Sequence, residues 1–127
     1  MTTVTAADFR AARERYGLTV QWLADTLRVR QRTVHRWEAG HTPIPDGVAD
    51  ELAAWHAAYL DAVTEYNDHA EAGGPVLVPR LDADSVDNFP AAFHRAAALE
   101  AVMTCGRSPL HAHLDYPPKM VKPDGEQ

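Results

Sequence analysis

A mainly α fold is predicted by three features of the sequence. Residues 18 to 40 divide into two short amphipathic segments around a tight turn. An apolar seam then runs from Val48 to Tyr66 at helical spacing. A Gly-Gly-Pro break at 73–75 is followed by only one β-prone run, Val76-Leu77-Val78. The expected layout is a helix-turn-helix head, a long helix, a short β-strand and a C-terminal helix that together form a dimerisation element.

Each element follows from local signals. The first helix is expected from about Ala6 to Tyr16, burying Phe9, Ala12 and Tyr16, with Gly17 as its left-handed cap. Thr19 caps the second helix, in which Leu23, Ala24 and Leu27 fall at i, i+1 and i+4. In the third, Val34 and Trp37 recur at i, i+3, and Gly40 ends it. Gln31, Arg32, His35 and Arg36 then occupy an arc of about 140° opposite those two apolar residues, at roughly 100° per residue. Such a face suits a major groove. Thr42-Pro43-Ile44-Pro45-Asp46 is a rigid elbow, because each proline fixes φ and pushes the residue before it to an extended conformation.

Beyond the elbow, Val48, Leu52, Trp55, Tyr59, Val63 and Tyr66 form a seam longer than a minimal head requires. It serves either this chain's own C-terminal segment or a second subunit, and both remain open. Val76-Leu77-Val78 has no second convincing strand in the chain, so its backbone partners are expected from another subunit. A last helix from about Pro90 to Thr104 buries Phe93, Ala97 and Val102 and stops at Gly106, before an extended, proline-rich tail that frays after Pro117. The expected organisation is thus a head at 1–62, a dimerisation element at 63–106 and a tail at 107–127. The expected dimer interface is Tyr59, Val63, Tyr66, Val76, Leu77, Val78, Phe89 and Phe93.

Charge is divided unevenly along the chain. The net charge is −6, which argues against a nucleic-acid partner until its distribution is read. Residues 1–44 carry seven arginines against four acids, whereas the remainder is strongly acidic. Between Asp25 and Glu38 lie Arg28, Arg30, Arg32 and Arg36 with no acid among them, which concentrates positive potential on the reading helix. Arg32 and Arg36 suit guanine O6 and N7, Gln31 suits adenine, and His35 can donate to a base. Thr19, Arg28 and Arg30 suit phosphate.

Several chemistries find no motif. The lone Cys105 excludes an internal disulfide, and His111-Ala112-His113 lacks further ligands at zinc spacing. Asp82, Asp84 and Asp87 read as turn and cap residues, and no catalytic motif appears. No cofactor, metal or enzymatic activity is expected. Neither a leader nor a membrane span is apparent, so a cytoplasmic protein is expected.

The stretch Leu-Ala-Asp-Thr-Leu-Arg-Val followed by Thr-Val-His-Arg-Trp-Glu-Ala-Gly resembles the lambda-repressor-like class that includes Cro and many phage repressors. The resemblance covers about residues 6 to 56 and departs from the family pattern at Val20, Arg28 and Ala39. It implies base contacts from Gln31, Arg32 and Arg36, a structural ion pair between Arg13 and Glu38, and phage or prophage origin. Trp37-Glu38-Ala39-Gly40 and Ile44-Pro45-Asp46-Gly47-Val48 further resemble YdiL-like proteins and anti-CRISPR-associated autorepressors. That implies a homodimeric, autoregulatory repressor on inverted-repeat double-stranded DNA. An antitoxin-like module with a protein partner and an RNA-binding autoregulator are the alternatives.

Overall fold

The computed structural model describes residues 4–104 and 114–118. Cys105, Gly106, His111, His113 and the tail beyond Pro118 lie outside the described residues. Helix α1 (Ala6–Arg15) opens on a reciprocal cap: Thr5 Oγ1 accepts from the Asp8 amide at 3.0 Å, and Asp8 Oδ2 accepts from the Thr5 amide at 3.2 Å. It ends at Gly17, with φ +68°. A Cβ there would lie 2.6 Å from the Ala92 carbonyl oxygen, so glycine is required for close approach as well as for its dihedral.

Thr19 Oγ1 accepts from the Trp22 amide at 3.0 Å and starts α2 (Val20–Leu27). Helix α3 (Gln31–Glu38) follows after a three-residue turn, then the proline elbow and α4 (Asp46–Glu71). Helix α4 stops at Gly73 and Gly74, both at positive φ. Strand β1 (Val76–Leu77), a 3₁₀ turn (Asp82–Asp84), α5 (Ala91–Thr104) and strand β2 (Leu114–Asp115) complete the described order.

The β-strand departs from the sequence expectation. Strand β1 pairs in parallel with β2 of its own chain, Val76 opposite Leu114 and Leu77 opposite Asp115, and the Val78 amide donates to the Asp115 carbonyl at 2.9 Å. Two residues among prolines are too few for alternation to reveal a strand. The partner expected from another subunit is therefore supplied by this chain.

The seam of α4 is likewise filled from within. Phe93 and Ala97 of α5 enter one core cluster with Phe9, Leu23, Val34, Trp37, Trp55 and Tyr59, and Val76 and Val78 join Ala70, Ala98 and Val102 in a second. Of the residues expected at a dimer interface, Tyr59, Val76, Val78 and Phe93 are buried against their own chain. Val63, Tyr66 and Phe89 are half-buried beside them, and Leu77 alone remains exposed. Buried this way, the first four present no surface to another subunit. Helix α4 also crosses the expected 62/63 boundary without a break.

An aromatic series fastens α5 to the head. Phe93 stacks on Phe89 at 4.1 Å between ring centroids, and Phe89 stacks on Trp22 of α2 at 5.5 Å. Trp22 meets Trp55 edge-on, while Tyr59 meets Phe93 edge-on and Tyr16 at 4.9 Å. Trp22 Nε1 also donates to the Asn88 carbonyl at 2.8 Å.

The polar groups of α5 are tied inward too. His94 Nε2 lies 3.0 Å from Asp87 Oδ1, and its Nδ1 lies 3.0 Å from the Tyr66 hydroxyl, so a neutral ring donating to Asp87 can accept from Tyr66. Burial foremost, then the charges of Glu65 and Asp87, push the Tyr66 hydroxyl up to about 12. Arg95 Nη1 donates to the Pro79 and Arg80 carbonyls. No helix among the described residues is long and apolar enough to cross a membrane.

A chain ending at Asp61 loses Phe89 and Phe93 and opens the core around Trp22, Trp55 and Tyr59. Burying one Phe side chain contributes about 1.5–3 kcal/mol. We expect a head with a markedly lower urea midpoint and a broadened transition by tryptophan fluorescence. An unchanged midpoint would show that the head folds independently of α5.

Candidate nucleic-acid interface

The surface formed by α2, the turn and α3 is built from two ends that behave differently. Thr19 spends one lone pair on the cap of α2 and keeps its hydroxyl proton free at an exposed position. Helix α3, by contrast, has no side-chain cap: its N-cap is Arg30. The Thr33 and Val34 amides turn back to the Arg30 carbonyl, which leaves the first amides of α3 directed outward. Arg28, at the end of α2, holds φ +58° and ψ +44°, the one described non-glycine residue at positive φ. Both choices cost local stability. Left-handed backbone costs an L-residue about 1–2 kcal/mol, and an absent N-cap side chain about 1 kcal/mol. Each of these two positions carries an exposed arginine.

Val34 and Trp37 anchor the inner face of α3 in the core, and Trp37 meets Phe9 edge-on at 6.0 Å. Gln31, Arg32, His35 and Arg36 are all exposed on the opposite side. The expected base-contacting residues therefore share one outward face of α3, with Arg28 and Arg30 on the turn before it and Thr19 at the start of α2.

Two further side chains shape this face without having been evident in the sequence. Gln31 Nε2 donates to Gln21 Oε1 of α2, and Gln21 Nε2 donates to Asp25 Oδ1 at 2.9 Å, so Gln31 is held from across the turn. Arg36 Nε donates to Thr42 Oγ1 at 3.2 Å, which holds the guanidinium towards the elbow. The only sequence signal for Gln21 was a polar residue in the first turn after Thr19. Thr42 sits in an irregular loop and gave none.

Arg13 and Glu38 meet between α1 and α3. Arg13 Nε donates to Glu38 Oε2 at 2.5 Å and Nη2 to Oε1 at 3.2 Å, while Nη1 donates to the Leu18 carbonyl at 3.1 Å. Their side chains are 14% and 6% exposed. This two-pronged contact sets the angle at which α3 leaves the core, and the third bond ties the same guanidinium to the loop before α2.

Ion pairing sorts the seven arginines of the head into two groups. Arg10 pairs with Glu14, Arg13 with Glu38 and Arg15 with Glu100. Arg28, Arg30, Arg32 and Arg36 are exposed and have no carboxylate partner among the described residues. The cations left uncompensated are thus gathered on the turn and the outward face of α3, the distribution that neutralises phosphates rather than internal acids.

Residues 9–54 match the model of a helix-turn-helix family, HTH_3. The matched segment holds α2, the turn, α3 and both members of the Arg13–Glu38 pair, and it supports DNA-binding transcription regulation. No curated protein matches the chain.

Glu38→Ala strands the Arg13 guanidinium in a mostly buried position and should destabilise by about 3 kcal/mol. Replacing both residues with leucine should recover much of this, because the penalty belongs to the unpaired charge. Urea denaturation of Arg13→Leu, Glu38→Leu and the Arg13→Leu/Glu38→Leu double tests the coupling. Arg28→Gly and Arg30→Thr should each raise the thermal midpoint, by relieving the dihedral and supplying a cap, while weakening DNA binding and lowering its salt slope by about one each. Raised stability with undiminished affinity would remove these two residues from the interface.

Proposed function

We propose that the chain is a sequence-specific transcriptional repressor that binds an inverted-repeat operator as a homodimer and represses its own promoter by occlusion. The observation that carries this reading is the set of four exposed arginines without carboxylate partners, in the same turn and helix that the family match covers. In this reading Gln31, Arg32, His35 and Arg36 reach base edges, and Thr19, Arg28 and Arg30 grip phosphates to set register. The acidic C-terminal half, repelled by the duplex, keeps α3 turned towards the groove. Two heads joined by a dimer contact gain from effective concentration, which turns two weak half-sites into one tight operator.

One observation favours a second reading, in which a protein partner binds the C-terminal half and the head only autoregulates. Leu77, Leu81 and the fully solvent-exposed Val86 lie in the segment that also carries Asp82, Asp84 and Asp87. Exposed apolar residues beside acids suit a basic protein surface. Co-purification with the product of an adjacent gene distinguishes the readings.

Selection from a genomic library should enrich an inverted repeat with half-sites about one helical turn, roughly 34 Å, apart or at a multiple of that spacing. Arg32→Ala or Arg36→Ala should cost about 1–3 kcal/mol of binding and relax the preference at one base position. If no motif is enriched at low salt, the reading fails. A loss of affinity equal on all sequences would reassign that arginine to phosphate.

A further inference from the structure

Between α1 and α4 lies a groove of about 740 Å³, a size within the range of small-molecule sites. Asp8, Ala12 and Tyr16, spaced four residues apart, line it from α1, and Asp46, Asp50, Ala53 and His56 line it from α4. Its walls are mostly apolar, since Val4, Ala49 and Leu52 contribute at half-buried positions. The groove exists because Ala12, Ala49 and Ala53 are too short to fill the space between the helices. His56 Nδ1 lies 2.6 Å from the Tyr16 hydroxyl, a bond that ties α4 to the end of α1.

We propose that this groove binds a compact organic cation, an amine or amidine carried on an apolar body. The lining decides both halves of that description. Its charged side chains are the carboxylates of Asp8, Asp46 and Asp50, and no described lysine or arginine lines it. The three arginines of α1 are committed elsewhere, to Glu14, Glu38 and Glu100.

Two of the carboxylates have an ordinary explanation. Asp8 belongs to the cap with Thr5, and Asp46 sits in the first turn of α4, where the helix dipole favours an anion. Asp50 has neither. Its side chain and that of Asp46 make no ion pair or hydrogen bond among the described residues, and they stand four residues apart, where like charges on a helix repel. A cation set between them relieves that repulsion, while an apolar body covers the alanines and Leu52. An anion would meet three carboxylates and no compensating cation. None of the residues assigned to DNA lines this groove, so the site stands or falls apart from the DNA reading.

Amide chemical shifts of the full chain, followed by NMR during titration, test the proposal without any DNA. Tryptamine and phenethylamine are the cationic probes. Tryptophol and phenethyl alcohol keep the same bodies without charge, and indoleacetate and phenylacetate reverse it. At least one amine should saturate with a Kd on the order of 1 mM or tighter, shifting amides around Ala12, Ala53 and His56, with its alcohol weaker and its acid weaker still. Asp46→Asn/Asp50→Asn, at exposed positions, should keep the thermal midpoint and weaken that amine by about threefold or more without changing the alcohol. Ala53→Phe should fill the groove and abolish binding. If neither amine saturates, or the alcohols bind as tightly, the proposal is overturned. Equal losses of amine and alcohol in the double variant overturn it too, because charge is then not what is recognised. Shifts of the same amides on concentrating the free protein would give the groove to a second copy and likewise overturn it.

Discussion

Phe93 stands where three parts of the molecule meet, and the arrangement of the rest depends on its burial. Through Phe89 it reaches Trp22 on α2, and through Tyr59 it reaches Tyr16 at the end of α1. The C-terminal helix is therefore part of the head's core rather than an appendage to it. The position of α2, and with it the platform from which α3 projects, is held by rings contributed from beyond the family match at 9–54. The Arg13–Glu38 pair then fixes α3 from the opposite side. A helix of eight residues is too short to hold its own shape, so the rigidity of α3 is borrowed from these two contacts.

The turn before α3 shows what the fold gives up for its surface. Glycine at position 28 and a hydroxyl or carboxylate side chain at position 30 would each suit the local backbone better than arginine does. Local preference and the observed residue disagree at two places two residues apart, and both disagreements add a cation to the same face. Disagreements of this kind are expected where a surface is selected for binding rather than stability.

Most of the helical architecture was legible because each helix carries its own signals. Thr19 caps, Gly17 and Gly40 terminate, and the apolar spacing of Val48 to Tyr66 marks α4, whereas the Thr5 cap of α1 emerges only from the structure. What could not be read was the destination of the seams. An apolar stripe states that something covers it and not what does, so the seam left this chain's own C-terminal segment and a second subunit equally open; Tyr59 and Phe93 cover each other. Strand β2 was missed because two residues have no period. At the interface, residue type and helical angle were sufficient to gather Gln31, Arg32, His35 and Arg36 on one face. The cross-turn contact from Gln21 and the support from Thr42 depend on tertiary geometry that no local pattern encodes.

Gly17 has a consequence for how such chains are compared. Its left-handed conformation alone would tolerate asparagine, as many helix ends do. Here the Ala92 carbonyl occupies the space that any Cβ would enter. The identity of a residue in the head is thus dictated by a helix encoded far downstream. A recombination event that grafted this head onto a different C-terminal half would free position 17 to drift. A residue other than glycine there would then mark a head without such a docked terminal helix.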